Sequence, residues 1–229
     1  MSINLESSVG QIATDHPLAT RVFSRHNIDF CCGGGNSLKN VCEQAGLNTD
    51  TILAEIQNEL STTSDNDTQW DKESLPDLID HILKIYHRPL DEELPRLEFM
   101  VRKVHDVHGD KNPKMFAELK QTYVDLKNEL DAHMLKEEQI LFPMIKGGNG
   151  SMAMGPVHVM QMEHDSAGAA LKRMRQLTNN YQIPDEACNT WRALWSGLEA
   201  FEESLHQHIH LENNILFPKA IKMEKELMG

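Results

Sequence analysis

A chain of 229 residues with 22 Lys and Arg against 35 Asp and Glu carries a formal charge of −13, which repels nucleic-acid backbones and anionic lipid surfaces alike. No run approaches the ~20 consecutive apolar residues of a membrane span, and the opening MSINLESSVGQIATDHPLA has neither the basic n-region nor the apolar h-region of a leader, so neither nucleic acid nor membrane is an expected partner and the cytoplasm is the expected compartment. Cys31, Cys32, Cys42 and Cys188, two of them adjacent, make a poor disulfide framework, so reduced thiols are expected.

In chain order, residues 1–60 read as a small module of short helices. Asp15 with Pro17, then Asn36 or Ser37, then Thr49 with Asp50 supply helix starts, since short polar side chains cap free N–H groups. Within it, Cys31-Cys32-Gly33-Gly34-Gly35 forms a vicinal thiol site. Glycine-rich backbone predicts an exposed turn, and a helix start near Asn36 predicts a lowered thiol pKa. Packing of two reduced cysteines at a helix junction is the structural alternative, and it is the reading given to Cys42, which lies beside an apolar helix face. Residues 61–69, STTSDNDTQ, have no large apolar side chain and read as a linker.

Residues 70–229 are helical in pattern from about Leu75 to Met223, broken only at 107–113, 147–156 and 178–186. Four long helices with short connections predict an all-α, up-down-up-down four-helix bundle. Strand alternation is absent. Pro89 is expected to kink the first helix by removing a backbone donor, and GGNG at 147–150 lacks the ending of a phosphate loop.

Twelve histidines are the compositional oddity, and a duplication organises them. HMLKEEQILFPMI (133–145) and HIHLENNILFPKA (208–220) share His-x-x-x-Glu followed by Ile-Leu-Phe-Pro, at an offset of 75 residues. A lone histidine precedes each copy, His87 by 46 residues and His164 by 44. Stepping by three and four places His87, His133, Glu137, His164, His208 and Glu212 on the core-facing stripes of their helices. At 1.5 Å per residue all six fall near mid-height of an antiparallel bundle. Buried carboxylates need partners or a metal. Four imidazoles and two carboxylates exceed what one tetrahedral zinc takes. Two metals fit, with both glutamates bridging and an oxo or hydroxo bridge completing five donors each; such donors suit non-haem iron first and manganese second. Glu129, four residues before His133, and Glu163, beside His164, are candidate carboxylates for orienting an imidazole. Tyr86 flanks the site, and His81, His105, His108, His158, His206 and His210 lie off the stripes, where solvated faces and loops account for them.

The histidine and glutamate pattern resembles the hemerythrin-like bundle. HMLKEEQILFPMI, MEHDSAG, HIHLENNILFPKA and the upstream DFCCGGG together resemble the iron–sulfur cluster repair di-iron proteins, the RIC family, over nearly the whole chain. The resemblance implies a non-haem di-iron centre on the six residues, with Glu137 and Glu212 bridging. Oxygen-carrying hemerythrins have a fifth histidine and different acidic ligands, so reversible oxygen transport is not implied. The implied role is repair of iron–sulfur clusters under oxidative or nitrosative stress, by iron donation, with reduction of nitric oxide to nitrous oxide as a further activity. Damaged iron–sulfur proteins are the expected clients, NO or O₂ the small ligands, and a second copy of the chain a candidate partner. The competing reading is a module that stores or senses O₂, NO or iron without turnover.

Overall fold

The computed structural model describes residues 3–62, 68–148 and 153–228; 63–67 of the expected linker and 149–152 of the expected second connection lie outside them. Four short helices open the chain: α1 (Val9–Asp15), α2 (Ala19–Arg25), α3 (Leu38–Ala45) and α4 (Thr49–Thr62). Asp15 ends α1 rather than starting a helix. The cap is Ser8, whose side chain accepts from the Gln11 N–H. Ser37, not Asn36, caps α3, and Gly46 closes it in the left-handed region at φ 67°, where a side chain would be strained. Val9, Val22, Phe23, Leu38, Cys42 and Ile56 are among the side chains that bury together between these helices, which gives Cys42 its expected place in a core.

The bundle follows in four rods. The first is α5 (Leu75–Ile82), a π-turn (Leu83–His87) and α6 (Arg88–His108). The second is α7 (Pro113–Lys136), a π-turn (Glu137–Leu141) and α8 (Phe142–Lys146). The third is α9 (Met154–Leu177), and the fourth is α10 (Asn189–Leu211), a π-turn (Glu212–Leu216) and α11 (Phe217–Met228). Antiparallel neighbours make this the up-down-up-down arrangement, and no helix among the described residues is long and apolar enough to cross a membrane.

Each π-turn ends two residues before a proline: Pro89, Pro143 and Pro218. In all three the N–H just ahead of the proline reaches back five residues, from Arg88 to Leu83, Phe142 to Glu137 and Phe217 to Glu212. A proline in a regular helix presses on the carbonyl four residues earlier and gives it no donor; a one-residue widening relieves both problems. At Pro89 the ladder is therefore disturbed as a bulge on its N-terminal side, and the helix resumes at once, which replaces the simple kink. The bulges also hold three of the six polar stripe residues, His87, Glu137 and Glu212.

The apolar interior is split in two. One cluster, including Leu94, Leu97, Leu126, Leu198 and Leu205, fills one end of the bundle, and a second, including Leu78, Ile82, Phe142, Leu216 and Phe217, fills the other. The six polar stripe residues lie between them.

The N-terminal helices pack directly on the bundle. Asn214 Nδ2 donates to the carbonyls of Phe30 and Cys31 at 3.2 and 3.4 Å, and Cys32 Sγ donates to the His164 carbonyl at 3.3 Å. Gly10 permits the approach, since a Cβ there would lie 2.5 Å from Asn214 Oδ1 and 2.9 Å from the Gly34 carbonyl. Gly10→Val should therefore destabilise the protein by about 1–3 kcal/mol, read as a lower midpoint in thermal denaturation. An unchanged midpoint would mean that the seam is loose.

Candidate metal centre

The structure brings all six stripe residues together in one buried pocket, each at most 3% exposed. Their ligand atoms form two overlapping groups of four. His87 and His208 make one with Glu137 and Glu212, and His133 and His164 make the other with the same two glutamates. Nε2 of His87 lies 3.2 Å from Nε2 of His208, and Nε2 of His133 lies 3.1 Å from Nε2 of His164. Glu137 Oε2 is 3.5 Å from His87 and 3.3 Å from His133, while Glu212 is 3.0 Å from His208 and 3.2 Å from His164. The i, i+4 spacing within α7 and α10, carried into the following π-turns, sets each glutamate one turn from its own histidine.

Several buried polar atoms of this pocket have no hydrogen-bond partner. Both oxygens of Glu137, Oε2 of Glu212 and Nδ1 of His208 accept or donate no hydrogen bond. Leaving a buried carboxylate uncompensated costs several kcal/mol. Imidazole nitrogens aimed at one another and at the same oxygens form a donor set for cations, and nitrogen with carboxylate oxygen suits non-haem iron. The pocket's own electrostatics run the same way. Burial and the charge of Glu212 push the Glu137 carboxyl up, but His133 and His87 outweigh them and hold it low. Burial likewise opposes, and His208 with His164 reverses, the shift at Glu212, which ends well below the usual carboxylate range. Burial pulls His133 down, yet Glu137, Glu212 and Glu163 lift it to about 9; His87 is raised by Glu137, Glu212 and Glu138 against the same opposition.

Three of the four imidazoles are held from behind. His87 Nδ1 meets Glu138 Oε1, His133 Nδ1 meets Glu163 Oε2 and His164 Nδ1 meets Asn213 Oδ1, each at 2.9 Å. Arg88 anchors Glu138 and Lys136 anchors Glu163. Such contacts fix the tautomer and leave Nε2 free to bind. Of the two candidate carboxylates, Glu163 thus reaches an imidazole. Glu129 does not: it is exposed and accepts from Ser166 Oγ on the third rod at 3.1 Å, which places it on the solvent side of the bundle. Glu138 and Asn213 escaped sequence reasoning, although both directly follow the duplicated glutamate, and that shared offset was the available signal. Among the histidines placed off the stripes, His210 is buried rather than solvated. Phe30, in the segment between α2 and α3, lies 5.5 Å from its ring, and burial draws its pKa down to about 4.

The vicinal thiols also differ from the exposed turn expected of them. Cys31 is 3% exposed and joins the core cluster of the bundle, with Cys32 packed against it. Gly168, one turn after His164, leaves the notch that Cys32 occupies, where a Cβ would lie 3.3 Å from its sulfur. The hydrogen bond with Cys32, then burial, then the charges of Cys32 and Asp29 raise the Cys31 thiol well above its ordinary value. These effects replace the lowering expected from a helix terminus. A raised pKa leaves less thiolate at any given pH, so iodoacetamide at pH 8 should label exposed Cys188 first and Cys31 late, as it should buried Cys42, with Cys31 gaining reactivity only as pH rises further. Peptide mass mapping checks this, and early labelling of Cys31 would contradict it. Cys31 lines a cleft of about 780 Å³ between the N-terminal helices and the bundle, and a second cleft of about 410 Å³ is walled by Tyr86. Arg21 and Glu203 belong to both.

Residues 78–220 match the model of the hemerythrin HHE cation binding domain, and residues 5–60 match a domain of unknown function. The chain is 44% identical over 217 residues to the iron-sulfur cluster repair protein YtfE of Yersinia pseudotuberculosis serotype O:1b, covering 95% of this chain and 97% of that protein. Its likeness to the protein of the same name from Yersinia pestis strain Pestoides F has the same extent.

Proposed function

The chain belongs to the family of iron–sulfur cluster repair proteins, and from that premise we propose that it holds two iron ions and restores damaged clusters by giving iron to them. One observation carries the count of two: four histidines divide into two pairs around the same two buried glutamates, three of whose four oxygens have no hydrogen-bond partner. His87 and His208 would hold one ion, His133 and His164 the other, with Glu137 and Glu212 shared and an oxo or hydroxo bridge completing the pair. Bound there, ferrous ions supply electrons and coordination positions for small ligands such as NO or O₂, which keeps reduction of nitric oxide within this reading. The chain's own part is to exclude water, orient the imidazoles through Glu138, Glu163 and Asn213, and present the seam between residues 1–60 and the bundle of 70–229 to a client. Cys31 and Cys32 lie on that seam and are the proposed thiol site.

A purified iron–sulfur enzyme damaged by peroxide or NO, incubated with reductant and the iron-loaded protein, tests the proposal. Recovery of client activity with matching loss of iron from the donor is expected. Recovery no better than with equal free ferrous ion would defeat it, and stoichiometric NO or O₂ binding without recovery would favour a sensor.

A further inference from the structure

The duplicated motif relates the two halves of the centre by an approximate two-fold, and one position breaks it. Glu138 behind His87 corresponds to Asn213 behind His164, and both accept at 2.9 Å. For the other two histidines the correspondence fails. Glu163, the residue before His164, takes the Nδ1 of His133. Its counterpart before His87 is Tyr86, which offers His208 no acceptor but the face of its ring, stacked at 5.3 Å and 10°. His208 Nδ1 is left without a partner, although the residue is only 1% exposed.

An imidazole held through Nδ1 is fixed in orientation and is the more basic ligand at Nε2. One pair, His133 with His164, has both supports; the other, His87 with His208, has one. We propose that the two positions are unequal and that the iron held by His87 and His208 is the one released. This deepens the two-iron repair reading and rests on it. The position also borders solvent: the Tyr86 ring that covers His208 is itself a wall of the cleft formed with Trp70, His81, His210, Leu211 and Ile215.

Release of iron from the full-length ferrous protein to excess bathophenanthroline disulfonate, without oxygen, is the test. Two phases of one iron each are expected, separated by about tenfold or more, the usual cost of losing an outer partner. Tyr86→Glu should slow the fast phase towards the slow one, Tyr86→Phe should leave both in place, and Glu163→Leu should turn the slow phase fast. Release of both irons in a single phase would overturn the proposal, as would a fast phase unmoved by Tyr86→Glu. If that variant fails to bind iron, Glu163→Leu decides, and an unchanged slow phase is fatal. In crystals of half-depleted protein the remaining anomalous iron peak should lie beside His133 and His164; a peak beside His208 would overturn the assignment. A chain that binds only one iron would overturn this and the two-iron reading together. Biphasic release with no client recovery would strike the repair reading alone.

Discussion

Glu137→Gln, or equally Glu212→Gln, is expected to remove both irons from the protein, a larger loss than any single histidine substitution produces. Each glutamate belongs to both groups of four donors, and each is fully buried, so no water-exposed neighbour takes its place. Glutamine keeps the volume and loses the charge, which limits the damage to the packing around it. His133→Ala strikes one group directly and should cost at least one of the two irons. Metal analysis after gel filtration reads both outcomes. A Glu137→Gln protein retaining two irons would show that the glutamates are not shared ligands.

The second large effect concerns the thiols. Cys31→Ser with Cys32→Ser should abolish recovery of a damaged client while leaving the iron spectrum unchanged. Serine at 32 is small enough for the notch at Gly168 and can still donate to the His164 carbonyl, so α9 has no reason to shift. At 31 the substitution removes sulfur from the floor of the larger cleft. Wild-type and variant protein at equal iron loading, assayed with the same client, separate the two effects. Equal recovery would return both cysteines to packing. A changed spectrum would show that the contact at His164 bears on the metal itself.

The bundle was legible in the sequence because its signals are periodic. Stripes such as Phe116, Leu119, Tyr123, Leu126 and Leu130 repeat at helical spacing and are buried together, and the copied His-x-x-x-Glu marks which polar residues interrupt them. What periodicity could not show was the direction of side chains across helices. Glu129 and Glu163 look alike in the chain, yet only Glu163 meets an imidazole. The seam was invisible for the same reason. A glycine-rich turn reads as exposed until another element covers it, and Cys31 and His210 are each buried by a partner distant in sequence. Pro89 was legible as a disturbance, but the π-turn preceding it depends on the backbone partner of Arg88, which no spacing rule supplies.

Iron content together with the Mössbauer spectrum of the purified oxidised protein tests the central claim most directly, since it reads number, identity and bridging at once. Two irons per chain are expected, ferric and coupled to a diamagnetic ground state through the bridge, with the coupled signal lost in Glu137→Gln. A single uncoupled iron, or a coupled pair that survives removal of Glu137, would contradict it.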